Sequence, residues 1–562
     1  MIGNRTKVFR FLLLAFLLLS ALSACKDLFG PLDNPVDRES ENYQGYDTIL
    51  NADDIKIFYP TNSRIAGNQP TFIVSEVRSA SAYQIQISSS QSDFENNILF
   101  DKSDYDSNKI NISTENLSNN VWYYWRARAQ QSGAWGKWTE ISSFIIGYTI
   151  TYDGNGNTEG SVPIDPNIYL EGESVTVAQR PQGFSKEGYG FDSWNTESNG
   201  SGIDYNGGST FIIGSESITL YAKWHVLSLW ATGWNSYGQL GDGTTYSKSS
   251  PVKVMDDVKA VAAGYSHTMI IKNDGSLWAT GVNWYGQLGD GTTSDKSSPV
   301  KVMEGVEAVA AGYSHTMIIK NDGSLWATGV NWYGQLGDGT TSDKSSPVKV
   351  MEGVEAVAAG YSHTMIIKND GSLWATGVNW YGQLGDGTTS DKSSPVKVME
   401  GVEAVAAGYS HTMIIKNDGS LWATGANFSG QLGDGTTYNS RSSPVKVMED
   451  VKAVSAGYQH TMIIKNDGSL WATGANFYGQ LGDGTTYNSR SSPVKVMEDV
   501  KAVSAGYQHT MIIKNDGSLW ATGLNFYGQL GDGTTSDKSS PVKVMDNVEK
   551  IEAGSYYTFI LK

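Results

Sequence analysis

The stretch Ile270–Thr293, IIKNDGSLWATGVNWYGQLGDGTT, recurs letter for letter 48 residues later and again after a further 48. Seven tryptophans mark the units: Trp230, Trp278, Trp326, Trp374, Trp422, Trp471 and Trp520, spaced 48 or 49 residues apart. Each unit offers four short strand-like runs, PVKVM, VEAVAAG, HTMIIK and SLWATG. A sheet that small cannot bury its own faces, so it must stack on copies of itself. A 40–50-residue period with four strands per unit predicts a β-propeller.

The ends of the array fit a closed ring. It opens on Ser228-Leu229-Trp230, read as the fourth strand of an incomplete unit. It closes on PVKVMDNVEKIEAGSYYTFILK, read as the other three strands. Joining the two completes a seventh blade and removes the open sheet edges. Within each unit Asn-Asp-Gly predicts a type I′ hairpin turn, which needs positive φ at both central residues.

The net charge is −17, and removing residues 1–24, which carry Arg5, Lys7 and Arg10 and no acid, makes it −20. Phosphate backbones repel such a chain, so no nucleic acid partner is expected. Those three cations precede the apolar run FLLLAFLLL, which is too short for a permanent membrane span. Leu22-Ser23-Ala24-Cys25 follows and resembles the lipobox of bacterial lipoproteins. The resemblance implies a signal peptide over 1–24 and acylation of Cys25, the sole cysteine of the chain. It also implies a bacterial cell envelope location, at the outer membrane or cell surface. Residues 25–56 are polar, acidic and Pro/Asn-containing and read as a flexible tether.

Two small β modules precede the array, so the expected fold is all-β: a seven-bladed propeller behind two N-terminal β modules. Residues 57–147 show short alternating runs between turn signals, the pattern of a small sandwich. WYYWRARAQQSGAWGKWTEISSF, residues 122–144, resembles the late strands of fibronectin type III domains. Trp122, Trp125, Trp135 and Trp138 are candidates either for a sugar-stacking surface or for sandwich packing. Residues 148–225 resemble the repeat module of internalins and Bacteroides surface proteins, through Thr151-Tyr152-Asp153, Trp194-Asn195 and the closing Leu220–Trp224. Asp153, Asn155 and Asn157 have calcium-loop spacing, but Thr158 and Ile164 stand where Gly and Glu are needed, so a turn is the better reading.

The unit AGYSHTMIIKNDGSLWATGVNWYGQLGDGTT resembles the repeat of the regulator of chromosome condensation propeller family over 226–562. The resemblance rests on Ala-Gly-x-x-His, Trp-x-x-Gly-x-Asn and Gly-Gln-Leu-Gly-x-Gly. That family includes a nucleotide exchange factor, a plant ultraviolet-B receptor and secreted β-lactamase inhibitors, so it implies a fold more than a function. An exported, lipidated chain would not meet a nuclear GTPase, which counts against exchange activity.

The hairpin topology places the residues before HTMIIK and after SLWATG at one end of each blade. One face of the disc is therefore expected to carry Trp234, Trp284, Trp332, Trp380, Phe428, Phe477 and Phe526. Beside them should stand Tyr265, Tyr313, Tyr361, Tyr409, Tyr458 and Tyr507, with Tyr478 and Tyr527 among the loop tyrosines. Such a ring suits recognition of a protein or polysaccharide, and inter-blade packing is the alternative. In the propeller-type β-lactamase inhibitors the matching loops contact the target, which makes inhibition of an extracellular enzyme the rival function. His267, His315, His363, His411, His460 and His509 come one per blade, which does not converge on a metal or a catalytic base. Leu277–Ser324, Leu325–Ser372 and Leu373–Ser420 are identical, whereas catalysis needs unlike groups in one site. A non-enzymatic binding module without cofactor or metal is the expectation, and a glycan-active enzyme the weaker one.

Overall fold

The computed structural model describes residues 51–66, 70–113 and 116–562; the signal segment and Cys25 lie outside them. The chain divides into two compact units. One holds residues up to Thr151 with 164–177 and 208–219, and the other holds 152–163, 178–207 and 220–562.

Within the first unit, residues 57–147 form a two-sheet sandwich. Ile57–Tyr59, Thr71–Val74 and Lys109–Asn111 form a three-stranded sheet. The other sheet orders Ser63–Ala66, Ser142–Gly147, Trp122–Gln131, Ala80–Ser88 and Ile98–Tyr105, with Ala134–Trp135 on its margin. Phe72 of the first sheet sets its ring edge-on to Trp125 and Phe144 of the second, at 4.8 and 5.2 Å. Ala52 and Ile55 belong to the same core, so packed structure begins ahead of the Ile57 boundary. Asn51 caps that entry by accepting the Asp53 amide, 3.1 Å.

The propeller lies in the second unit as seven four-stranded antiparallel sheets. Blade one runs Val258–Ala263, His267–Lys272, Leu277–Gly281, Lys296–Met303 from the central channel outward. Blades two to six repeat it to Met545. The closing blade joins Lys248–Asp256 and Ser228–Gly233 to Tyr557–Leu561 and Lys550–Ala553. This corrects the expected one-plus-three closure to two plus two. PVKVM pairs back onto the SLWATG strand before it, Ala279 opposite Val300, and so ends its own blade. A repeat read as letters has no starting point, and pairing supplies it.

The Asn-Asp-Gly turn is also corrected. Only Gly275 takes positive φ, +77°, and Lys272 both accepts from Gly275, 2.9 Å, and donates to Ser276, 3.0 Å. That is a type I turn closed by a glycine bulge. Asp274 holds it by accepting the Ser276 amide, 2.8 Å.

Apolar seams join the blades. Met269, Ile271, Leu277 and Ala279 of blade one, with Leu288 from its loop, pack on Val306 and Ile318 of blade two. At about 1.5–3 kcal/mol per fully buried aliphatic side chain, seams of this kind dominate the stability. Each loop is clasped by the next blade: Thr328 Oγ1 donates to Gly286 O, 2.8 Å. Asn283, fully buried, folds the loop by donating to Asp290 and Thr292 O, each 3.0 Å, while accepting the Leu288 amide.

Candidate functional site

The repeated histidines are lateral pegs. His267 Nε2 meets Thr316 Oγ1 of the next blade at 2.9 Å, and that hydroxyl donates its own hydrogen to Gln287 O, 2.8 Å. The imidazole must therefore be the Nε2–H donor, which leaves Nδ1 bare and without a partner. The contact repeats from His315 to Thr364, His363 to Thr412, His411 to Thr461, His460 to Thr510 and His509 to Thr558. All six are fully buried, and burial pulls them down to about 3 or 4. The preceding Ala-Gly follows from this packing: a Cβ on Gly264 would lie 2.5 Å from His267 Cε1 and 2.6 Å from Gly312 O. Tyr557 replaces the histidine in the closing blade, its hydroxyl 2.7 Å from His267 O.

Three of the proposed aromatics are well exposed on the loop face: Trp284, Trp332 and Trp380 at 55, 56 and 57%. Phe428, Phe477 and Phe526 are also exposed. Recognition and packing are not exclusive here, because each Trp receives a tyrosine edge from the blade before. Tyr285 meets Trp332 and Tyr333 meets Trp380, each at 5.2 Å, and Tyr237 meets Trp284 at 5.4 Å. One face of each indole is buttressed and much of the rest stays open.

Tyr265, Tyr313 and Tyr361 do not stand beside these tryptophans. With Tyr409, Tyr458 and Tyr507 they form an inner collar round the channel mouth, half-buried, with neighbouring ring centroids 4.0–4.4 Å apart. Burial and neighbouring tyrosines raise the Tyr265 hydroxyl above its ordinary range. The inner strands lead the Ala-Gly-Tyr segments to the axis, which is why an outer loop and an inner collar separate on one face.

Trp234 is the larger correction. In WNSYG it precedes the repeat's buried Asn, whereas Trp284 follows it in VNWYG. Trp234 thus occupies the place of Val282, Val330 and Val378, which are buried at 4–6%, and Ser236 takes the exposed place. The indole is half-buried on the inner side, 6.3 Å from Tyr265 and 5.9 Å from Tyr527.

The same blade displaces its collar tyrosine. Where the other blades read Gly-Tyr-Ser/Gln-His, it reads Gly554-Ser555-Tyr556-Tyr557. Ser555 leaves a gap that Tyr265 and Tyr507 face across 6.3 Å. Tyr556 bridges the collar and the loops, 5.0 Å from Tyr507, 5.7 Å from Tyr527 and 6.1 Å from Trp234, and burial pushes its hydroxyl to about 12. Beside these two displacements lies a groove of about 750 Å³. Trp234, Tyr265, Tyr478, Phe526, Tyr527 and Tyr556 wall it, and Gln508, Leu524 and the segment Thr535–Asp537 complete it. Phe526 is its most open aromatic at 67%. Asp537 is fixed by accepting the Asn525 amide, 2.8 Å. Sequence reasoning missed Tyr556 and Leu524 in this role; alignment of the last blade to the others, column by column, carries the signal.

The sandwich tryptophans divide three ways. Trp125 is core, its Nε1 donating to Pro60 O at 2.9 Å. Trp122 is exposed at 44%. Trp135 and Trp138 are covered by guanidinium groups, Arg128 over both at 5.1 and 4.3 Å and Arg126 over Trp138 at 4.4 Å. That stacking is cation–π packing and occupies the faces a sugar would need. The Asp153–Asn157 loop is an Asx turn, Asp153 accepting the Asn155 amide at 2.7 Å.

Compared with known proteins, the RCC1-like domain matches residues 225–448 and 352–562, which overlap and together span the propeller. The Listeria-Bacteroides repeat domain matches residues 148–223. Among solved structures, human WBSCR16 superposes with a TM-score of 0.56 at 21% identity, covering 60% of this chain and 99% of its own. Yeast RCC1 (Prp20), in its complex with Kap60, gives 0.55 at 19% identity, covering 60% and 88%. At these identities the likeness concerns the fold. Two curated Evansella cellulosilytica relatives, one named a Gly-rich membrane protein and the other a membrane protein, are 40 and 39% identical over 79 and 80 residues. Each match is 14% of this chain, and it spans only 9 and 12% of those relatives' lengths.

Proposed function

This chain belongs to the RCC1-like domain family, and from that premise we propose that its propeller is the binding head of a lipid-anchored bacterial envelope protein. The head takes an extracellular protein or polysaccharide on its aromatic loop face. The observation that carries this is the exposure of Trp284, Trp332 and Trp380, each more than half open on a rigid loop built around a buried Asn. Large rigid rings bury much area on binding at little cost in side-chain entropy. A binder is favoured over an enzyme because the repeated acids are spent on structure. Asp290 organises its loop with Thr292 and Lys296, and Glu304 pairs with Lys301.

The anchor rests on Leu22–Cys25 and is supported by the membrane names of the two short-matching relatives. Among the described residues no helix is long and apolar enough to cross a membrane. With about 0.8 kcal/mol per buried methylene, two or more acyl chains on Cys25 would hold the chain firmly. Cys25→Ser is expected to move the protein from the membrane pellet to the soluble fraction. For the binding head, the test is a glycan and protein screen of the mature chain beside Trp284→Ala/Trp332→Ala/Trp380→Ala. A ligand held by the parent and lost by a triple variant that still melts cooperatively supports the proposal. A triple variant that keeps every ligand refutes the tryptophan arc as the binding surface.

A further inference from the structure

We infer that the groove between blade six and the closing blade is a single binding site for a neutral oligosaccharide. The inference rests on the reading of the propeller as a binding head and assigns one place on it, apart from the tryptophan arc, to one ligand class.

The repeated Trp positions form an arc of equivalent contacts, whereas the groove lies where the closing blade departs from the repeat. It lies where Trp234 is shifted by two residues and Tyr556 by one from the pattern of the other blades, one inward and one outward. Its volume, about 750 Å³, falls in the range of small-ligand sites, about 300–1,000 Å³, and it is concave where most protein interfaces are broad. The walls set the chemistry. Trp234, Tyr527, Tyr556 and Phe526 present flat apolar rings at differing tilts: Trp234 lies 84° to Tyr556 and 35° to Tyr527. Between them stand an amide, Gln508, the hydroxyls of Thr535 and Ser536, and one carboxylate, Asp537.

Apolar faces alternating with donors and acceptors match a pyranose, whose C–H face stacks while its rim of hydroxyls hydrogen-bonds. Neither Lys nor Arg lines the groove, and the chain carries −17 overall, so an acidic glycan or a phosphate would meet repulsion without compensation. The channel mouth does not compete, since the collar leaves only about 100 Å³ there.

The test is calorimetric titration of the full mature chain with cellohexaose, laminarihexaose, xylohexaose and mannohexaose, with an oligogalacturonate hexamer as the acidic counterpart. One or more neutral hexasaccharides should bind with one site per chain, and the acidic one should not. Trp234→Val, the residue the identical blades carry there, should weaken binding at least about tenfold, 1.4 kcal/mol. Phe526→Ala, at an exposed position, should do the same without touching the core. The Trp284/Trp332/Trp380 triple variant should stay within about twofold of the parent. The inference is overturned if no neutral hexasaccharide binds at millimolar concentration, if both groove variants bind like the parent, or if the acidic hexamer binds equally. Loss in the triple variant alone removes the groove site while the binding-head reading stands. A parent that captures neither glycan nor protein removes both.

Discussion

Lowering the pH should destabilise the propeller before its aspartates protonate, through the six buried histidines. In the folded ring they remain neutral down to about 3 or 4, and in the unfolded chain they titrate near 6.5. The unfolded state therefore binds more protons throughout pH 4–6.5. Stability rises with pH across that window and is lost as pH falls through it. At pH 5.5 roughly nine-tenths of each unfolded histidine is protonated, about five to six protons in all. Glu552 opposes this. Half-buried on the innermost strand of the closing blade, it is held up at about 8, so unfolding releases about one proton there. The net uptake is about four to five protons, or about 6 kcal/mol of stability lost between pH 6 and pH 5 at 1.36 kcal/mol per proton and pH unit. Domains hold only about 5–15 kcal/mol in total. The assay is urea unfolding of the mature chain, followed by tryptophan fluorescence at half-unit steps from pH 7 to 4.5. His363→Gln should reduce the dependence by about one proton. A net uptake below about two protons between pH 6 and 5 would mean that the imidazoles can charge in place, and the peg geometry would be wrong.

Tyr557→Phe removes the hydroxyl that reaches the first blade at 2.7 Å and should cost about 1–2 kcal/mol, seen as a lower urea midpoint at unchanged slope. Gly360→Ala puts a Cβ 2.2 Å from His363 and 2.6 Å from Gly408 O, so a loss of at least about 3 kcal/mol or failure to fold is expected; near-parental melting would refute the packing. Arg180 and Glu549, at 2.6 Å and with side chains 27 and 17% exposed, should show a coupling of about 1 kcal/mol in a double-mutant cycle at low salt. Trp234→Val with Ser555→Tyr and Tyr556→Ser gives these three positions the residues of the other blades. It should keep cooperative melting while lowering any one-site oligosaccharide affinity at least about tenfold.

The propeller was legible because repetition leaves so few solutions. A unit with Leu277, Ile271 and Met269 on one sheet can bury them only against another copy, and the count of seven follows from the strands. What failed was the frame. PVKVM fits either the start or the end of a unit as text, and only pairing of Leu277 with Met303 decides. The Asn-Asp-Gly turn failed for a similar reason, since the same three residues serve a two-residue turn or a three-residue bulged one. The choice lies in Asp274, which binds Ser276 and keeps negative φ. The histidines were read correctly as structural, but their partner, a threonine 49 residues on, is invisible until blades are side by side.

The site was less legible because residue type was allowed to stand for position. Trp234 and Trp284 are the same residue after the same ATG, yet one lies before the buried Asn and the other after it, and that step turns a rim residue into a wall. Identical blades offer identical surfaces, so whatever is singular on this disc must come from where the copies differ. Ring closure is where they differ most. The closing blade is assembled from both ends of the array, and its inner segment exchanges the histidine for Tyr557, whose hydroxyl reaches the first blade directly. Tyr556 and Ser555 sit immediately before that exchange, so the residues that close the ring and those that open the groove are consecutive. A singular concave site beside the seam is what a closed ring of near-copies can make without disturbing the other six blades.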